Sequence, residues 1–291
     1  MTHLSRRGLL AAAGGLAGTV ALGNAARAET TFAAGKRTHR LVIGIANEKP
    51  YGYVGTDGKP TGAIPDVIRA TLQPYGITDL DAKVVDFDAL IPGINAGRFD
   101  IIGAGMYIKP ARCRAIAFSN PVTRSGGAFI AKRGNPHNVH SLKDVAAKPD
   151  VKLGTQTGSS QVEEVKQAGI SAAQTVLFAK DNEALAGLQA GRVDVIYFPD
   201  LEVNTLLQLA KDPSLERVTP FQQILGPNGQ QVWNYQALGF RASDADLVAA
   251  VNTQVAALLK SGGLLKILEP YGYTANELPP ADVTAAKLCA A

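Results

Sequence analysis

The chain has 291 residues and a formal net charge of +4, with 46% apolar and 19% charged residues, 30 Gly and 16 Pro. That composition excludes a wholly disordered, collagen-like or disulfide-framework chain. Arg6, Arg7 and Arg27 fall in the first 28 residues, which hold no acid, so the rest carries only +1; a basic nucleic-acid-binding body is unsupported and no nucleic-acid partner is expected.

The chain opens Ser5-Arg6-Arg7-Gly8-Leu9-Leu10, continues through small and apolar residues to Gly23, and reaches Ala26-Arg27-Ala28 before Glu29. A charged start, an apolar middle and a small-x-small end are the three parts of an export signal. The paired arginines favour the twin-arginine route over the general secretory one. A membrane anchor is the competing reading, but the stretch is short of the roughly 18 apolar residues a span needs. The expectation is a signal peptide over 1–28 and a mature protein in the bacterial periplasm.

Beyond it, 41–45 reads as a buried strand, Asp57-Gly58 as a turn, and 65–73 as a helix stopped by Pro74 and Gly76. The next strand is expected over 83–87. Strand and helix patterns then alternate to a last long helix over 244–260, ended by Gly262-Gly263. Such alternation argues for parallel sheets with crossover helices.

Residues 91–102 resemble residues 185–196 at an offset of 94, with six identities in twelve positions. Each copy reads as a short helix, a glycine just past its end (Gly97, Gly191) and a strand; glycine suits the left-handed exit from a helix. Two copies so far apart indicate two lobes on one βα plan rather than a solenoid. A two-lobed α/β protein has its natural ligand site in the cleft, at strand carboxyl ends.

The loops after strands hold the candidate site residues. Arg112 follows Pro110, which suits a helix start, so its guanidinium lies near a helix N-terminus and can grip a carboxylate bidentately. Tyr51, Phe87 and Tyr107 can form an aromatic box around a cation, each face contributing roughly 0.5–2 kcal/mol, with Glu48 as counter-charge; lobe packing is their alternative role. Gly158-Ser159-Ser160 opens a helix and can meet an anion or simply cap that helix; it has neither the phosphate-loop nor the nucleophile-elbow spacing. Asp200 either caps its own helix or reaches into the cleft.

Cys113 and Cys289 are the only cysteines. They could pair in an oxidising compartment, but Cys289 lies in a tail with little to fix it, so a buried free thiol at Cys113 is expected. His3, His39, His137 and His140 have no zinc-ligand spacing, so neither a metal site nor a histidine triad is expected, and no cofactor.

Several stretches together resemble one family. They are Pro50-Tyr51-Gly52-Tyr53 with Asp57-Gly58-Lys59, Leu90-Ile91-Pro92-Gly93 with Ala96-Gly97-Arg98-Phe99-Asp100, Ile108-Lys109-Pro110-Ala111-Arg112 with Ala117-Phe118-Ser119, and Ala190-Gly191-Arg192-Val193-Asp194. The chain resembles the polar-amino-acid type (family 3) solute-binding proteins of ABC importers over nearly all of residues 40–275. The resemblance implies an α/β, bilobal periplasmic-binding-protein fold (type II, flytrap) with two hinge strands, closing around one ligand. It also implies that the arginine at Arg112 grips a ligand carboxylate. Within the family the chain is most similar to ectoine- and hydroxyectoine-binding proteins, which place a carboxylate at Glu48, aromatics at Tyr51, Phe87 and Tyr107, and the arginine at Arg112. Many amino-acid binders in the family carry an aspartate where this chain has Pro199; its absence points to a delocalised or substituted cation.

The expected function is capture of a small zwitterion, ectoine-like or a polar amino acid, with Gly158, Ser160 and Asp200 completing the contacts from the second lobe. The expected partners are a membrane permease and, through it, an ATPase, with the receptor a monomer. The alternative is a periplasmic cyclohexadienyl dehydratase on the same fold, with Glu48 as general acid. Lobe 1 is expected over 29–131 and 236–291, and lobe 2 over 132–235.

Overall fold

The structure, a computed structural model, describes residues 29–290. The expected export signal over 1–28 lies outside the described residues. The chain runs α1 (Thr31–Thr38), β1 (Arg40–Ile45), a small hairpin of β2 (Tyr53–Val54) and β3 (Pro60–Thr61), α2 (Ala63–Leu72), β4 (Asp79–Val84), α3 (Leu90–Asn95), β5 (Ile101–Tyr107), α4 (Pro110–Cys113), β6 (Ala117–Phe118) and β7 (Thr123–Ser125). It continues through β8 (Gly127–Lys132), α5 (Leu142–Ala146), β9 (Leu153–Gln156), α6 (Ser160–Gln167), β10 (Thr175–Phe178), α7 (Asp181–Gln189), β11 (Val195–Pro199), α8 (Asp200–Ala210) and β12 (Leu215–Arg217). It returns with β13 (Asn234–Phe240), α9 (Ala245–Ser261), α10 (Gly263–Leu268) and α11 (Ala285–Cys289).

Two sheets form. The first is ordered β4-β1-β5-β13-β6, with β7 also on β13; the second is β10-β9-β11-β8-β12. They are mixed rather than wholly parallel. β1, β4 and β5 run parallel, as do β9, β10 and β11, but β13 lies antiparallel to β5 and β8 antiparallel to β11. Each lobe therefore takes one reversed strand next to its innermost parallel strand. Each sheet buries apolar side chains on both faces, as layers covered by helices require. In the first, Ile43, Val67, Ile68 and Leu264 fill one side and Leu90, Phe99, Ile102 and Met106 the other.

The twin motifs are one structural joint built twice. Gly97 and Gly191 have φ of 69° and 72°. The next N–H, of Arg98 or Arg192, donates back to the carbonyl of Gly93 or Gly187 at 3.0 and 2.8 Å. The motif aspartates dock onto the neighbouring strand. The Asp100 carboxylate accepts from the Val42 N–H at 3.0 Å, and that of Asp194 from the Lys152 N–H at 2.8 Å. These residues recur because the joint needs them, not because they meet a ligand.

The chain passes from the first sheet to the second at Gly126, between β7 and β8, and is back in the first at Asn234. The expected first crossing, near 131, falls five residues late: Ala131 pairs with Val195 inside the second sheet. A buried apolar run reads the same whichever sheet receives it, so periodicity could not place it. The strand expected over 83–87 runs instead from Asp79 to Val84. It is an edge strand on β1, and its Asp79, Asp81 and Lys83 disguise the start.

The cysteines are paired, contrary to the expected free thiol: Cys113 and Cys289 form a disulfide with Cα atoms 5.7 Å apart. The tail is anchored after all. Thr284 caps α11, the Asn120 side chain accepts from the Ala285 N–H at 3.1 Å, and Leu288 and Cys289 pack against the Ile116–Phe118 side of the first lobe.

Candidate ligand-binding site

The carboxyl ends of the parallel strands in both sheets face one cavity. This is where open α/β sheets bind ligands. The first lobe contributes Glu48 and Tyr51 after β1, Phe87 after β4, Tyr107 at the end of β5, and Arg112 from α4. The second contributes Gln156 at the end of β9, Ser160 and Gln161 from the first turn of α6, Phe198 and Pro199 at the end of β11, and Glu202 from the first turn of α8. The lobes are closed on each other: Gln156 donates to the Glu48 carboxylate across the cleft, and Arg112 reaches the Gly158 carbonyl.

Pro110 occupies the first turn of α4, as its missing N–H allows, and so sets Arg112 on the cavity wall. Its Nη1 donates to the Tyr107 carbonyl and its Nη2 to that of Gly158, each at 2.9 Å, and its guanidinium lies 5.7 Å from the Phe87 ring. Burial lowers its pKa to about 10, which leaves it charged at neutral pH. Among the described residues no carboxylate pairs with it. Two of its five N–H donors are used, so the fork is held in place with donors to spare. A partly buried guanidinium without a counter-ion is a place for a ligand carboxylate.

The acids facing it behave differently. Glu48 is 5% exposed; burial, then the charges of Asp181 and Asp86, push its pKa up to about 8 against the opposing hydrogen bond from Gln156. Glu202 is 3% exposed and raised well above the carboxylate range by burial and by Glu48 and Asp181. In the closed site both acids are thus biased toward their protonated forms, by burial first and by each other's charge. Opening the lobes rehydrates Glu48 and returns it toward 4.5, so closing takes up a proton between about pH 5 and 8, and a rise in pH through that window favours the open form. Small-angle scattering of the ligand-free protein is expected to give a larger radius of gyration at pH 8.5 than at pH 5.5. Glu48→Gln should flatten that dependence. An unchanged or smaller radius at the higher pH counts against it.

Four buried polar atoms lack a hydrogen-bond partner and belong to residues of this same cavity: Tyr51 Oη, Ser160 Oγ, Gln161 Nε2 and Glu202 Oε1. Buried polar groups are almost always satisfied, so their convergence marks where a polar ligand would sit. Tyr51 and Tyr107, each 4% exposed, also line it, and the Tyr107 hydroxyl is held by Ser125 at 2.5 Å.

Of the residues expected from sequence, Glu48, Tyr51, Phe87, Tyr107, Arg112 and Ser160 line the cavity. Gly158 and Asp200 do not. Gly158 acts through its carbonyl on Arg112; its φ of 76° and a Cβ that would meet Asp88 at 2.6 Å explain the glycine. The Asp200 carboxylate accepts from the Leu201 N–H at 2.7 Å and the Gly126 N–H at 3.3 Å, capping α8 and tying it to the hinge. Two residues on, about 200° around the helix, Glu202 points the other way, into the cavity. Sequence reading missed Glu202, Gln156 and Gln161; an acid in the first turn of a helix usually serves the helix dipole and carries no ligand signal.

The chain matches the model for bacterial extracellular solute-binding proteins, family 3, over residues 41–274. It belongs to that family. The binding protein is 31% identical over 254 residues to a probable amino-acid ABC transporter periplasmic-binding protein of Sinorhizobium fredii, covering 86% of this chain and 82% of the relative. It resembles the crystal structure of EhuB in complex with hydroxyectoine, with a TM-score of 0.81 and 37% identity over 91% of this chain and all of that one. An ancestral amino-acid-binding protein described as a precursor of cyclohexadienyl dehydratase shares the fold, with a TM-score of 0.72 and 24% identity over 84% of this chain and 100% of that one. The bilobal fold of this family is the one described above, and the family and these relatives are solute-binding proteins rather than enzymes.

Proposed function

We propose that this binding protein is the periplasmic receptor of an ABC importer, exported by the twin-arginine route, and that it captures a small zwitterion of the ectoine or polar-amino-acid type. The observation that carries this is a held guanidinium without a counter-ion opposite buried acids and aromatic rings in one closed cavity. The ligand carboxylate meets Arg112, with Ser160 Oγ and first-turn N–H groups of α6 assisting; the Ser159 side chain leaves those groups uncapped. The cation lies among Tyr51, Phe87 and Tyr107 and draws Glu48 into its ionised form. Contacts to both lobes exist only in the closed form, so binding shifts the open–closed equilibrium toward the state that a membrane permease recognises. The receptor works as a monomer, and the ATPase meets the permease rather than the receptor.

A thermal-shift screen over ectoine, hydroxyectoine, arginine, histidine, glutamine, proline betaine and choline tests the reading. A ligand at a hundred times its Kd adds about 2.7 kcal/mol to stability, so the true class stands out as a rise in Tm. Choline, which has no carboxylate, should give none. A response to choline alone, or to no zwitterion, refutes it.

One observation favours a second reading: two buried acids in the cleft, Glu48 and Glu202, have pKa values raised by burial, which is what a dehydratase needs of a general acid. Incubation with prephenate or arogenate that yields no product dismisses it.

A further inference from the structure

Glu202 has no role in the carboxylate grip and none in the α8 cap, which Asp200 supplies. Yet it is nearly fully buried, its Oε1 has no partner, and it lines the cavity. It enters from the second lobe, whereas Glu48 enters from the first and already has one oxygen engaged by Gln156. A ligand cation enclosed between the lobes therefore meets an acceptor from each side. Among the described residues no group bonds to the Glu202 Oε1.

We propose that Glu202 is a specificity-determining residue: its Oε1 accepts an N–H from the bound cation opposite Glu48, so the site takes cations bearing at least two N–H donors and discriminates against quaternary ammonium. Amidinium, guanidinium and protonated amine all qualify. The inference rests on the zwitterion reading above. Aromatic faces alone do not distinguish these cations, because a ring quadrupole attracts a methylated nitrogen as readily as a protonated one. A buried acceptor does. A quaternary ammonium leaves Glu202 desolvated and unpaired, and a site built to hydrogen-bond an N–H rejects the analogue lacking it more strongly than a shape mismatch of similar size. The orphaned Gln161 amide nitrogen, from the same lobe, is a donor and so suits an oxygen of the ligand, not its cation.

Calorimetric titration of the mature protein with two pairs of zwitterions tests this: ectoine and arginine, which carry N–H cations, against proline betaine and glycine betaine, which do not. The wild type is expected to bind at least one of the first pair tenfold or more tightly than either betaine. Glu202→Leu, apolar and of similar size, should weaken the N–H ligand at least tenfold and leave betaine binding no weaker than in the wild type, collapsing the preference. Glu202→Gln, which keeps an acceptor oxygen, should recover part of the loss. A wild type that favours a betaine, or a Glu202→Leu variant that weakens both classes alike, overturns the inference. Arg112→Ala separates the two levels. If it abolishes binding of all four while Glu202→Leu leaves the preference intact, the zwitterion reading stands and this inference falls. If no zwitterion binds the wild type, both fall.

Discussion

Arg112→Ala is expected to lower ligand affinity by at least about thirtyfold. Truncating one partner of a desolvated, hydrogen-bonded charge pair costs about 2–5 kcal/mol, because the other charge stays buried without its counter-ion. The position is unforgiving for a second reason. The guanidinium is braced on the carbonyls of Tyr107 and Gly158, one from each lobe, at 2.9 Å each. The Tyr107 carbonyl, on the same lobe, holds one arm of the fork in either form, and the Gly158 carbonyl fixes the other once the lobes close, so the closed site keeps the fork aimed at the ligand. Arg112→Lys should recover little, since one ammonium cannot brace both carbonyls and still offer two parallel donors to a carboxylate. Isothermal titration with whichever zwitterion the screen selects is the measurement; unchanged affinity in Arg112→Ala removes it from the site.

Removing the disulfide is expected to cost roughly 3 kcal/mol. Cys113 and Cys289 close a loop with a sequence separation of 176, and a crosslink over so long a loop withdraws much of the freedom of the unfolded chain. At roughly 2–4 °C per kcal/mol for a protein of this size, the double variant Cys113→Ser with Cys289→Ser should melt roughly 6–12 °C lower, and a reductant should do the same to the wild type. A shift under about 2 °C in both would mean the tail contributes little. Because Cys113 follows Arg112 in α4, the same variant also reports whether α11 steadies the arginine: ligand affinity should fall less than in Arg112→Ala.

Local patterns in the chain determined most of the βα framework. Glycines at helix exits, apolar strands and the twin motifs are short-range signals, and Gly97, Gly191 and Gly262 all adopt the left-handed conformation those positions require. The first-lobe half of the site was legible for the same reason. Tyr107 ends a strand, and Glu48, Tyr51, Phe87 and Arg112 lie in the short segments that follow one, so local sequence places all five near strand carboxyl ends. What the sequence could not determine depends on parts of the chain meeting from afar. Cys289 finds Cys113 only because α11 folds back onto the first lobe. Gly126 becomes the hinge only because β8 finds partners in β11 and β12 rather than in the first sheet. Glu202 becomes part of the site, and Asp200 does not, because the start of α8 fixes which side of the helix faces the first lobe. The charge on an acid is likewise a property of its surroundings: Glu48 and Glu202 are ordinary carboxylates in the unfolded chain, and closure of the lobes around them, by excluding water and bringing them together, raises both pKa values.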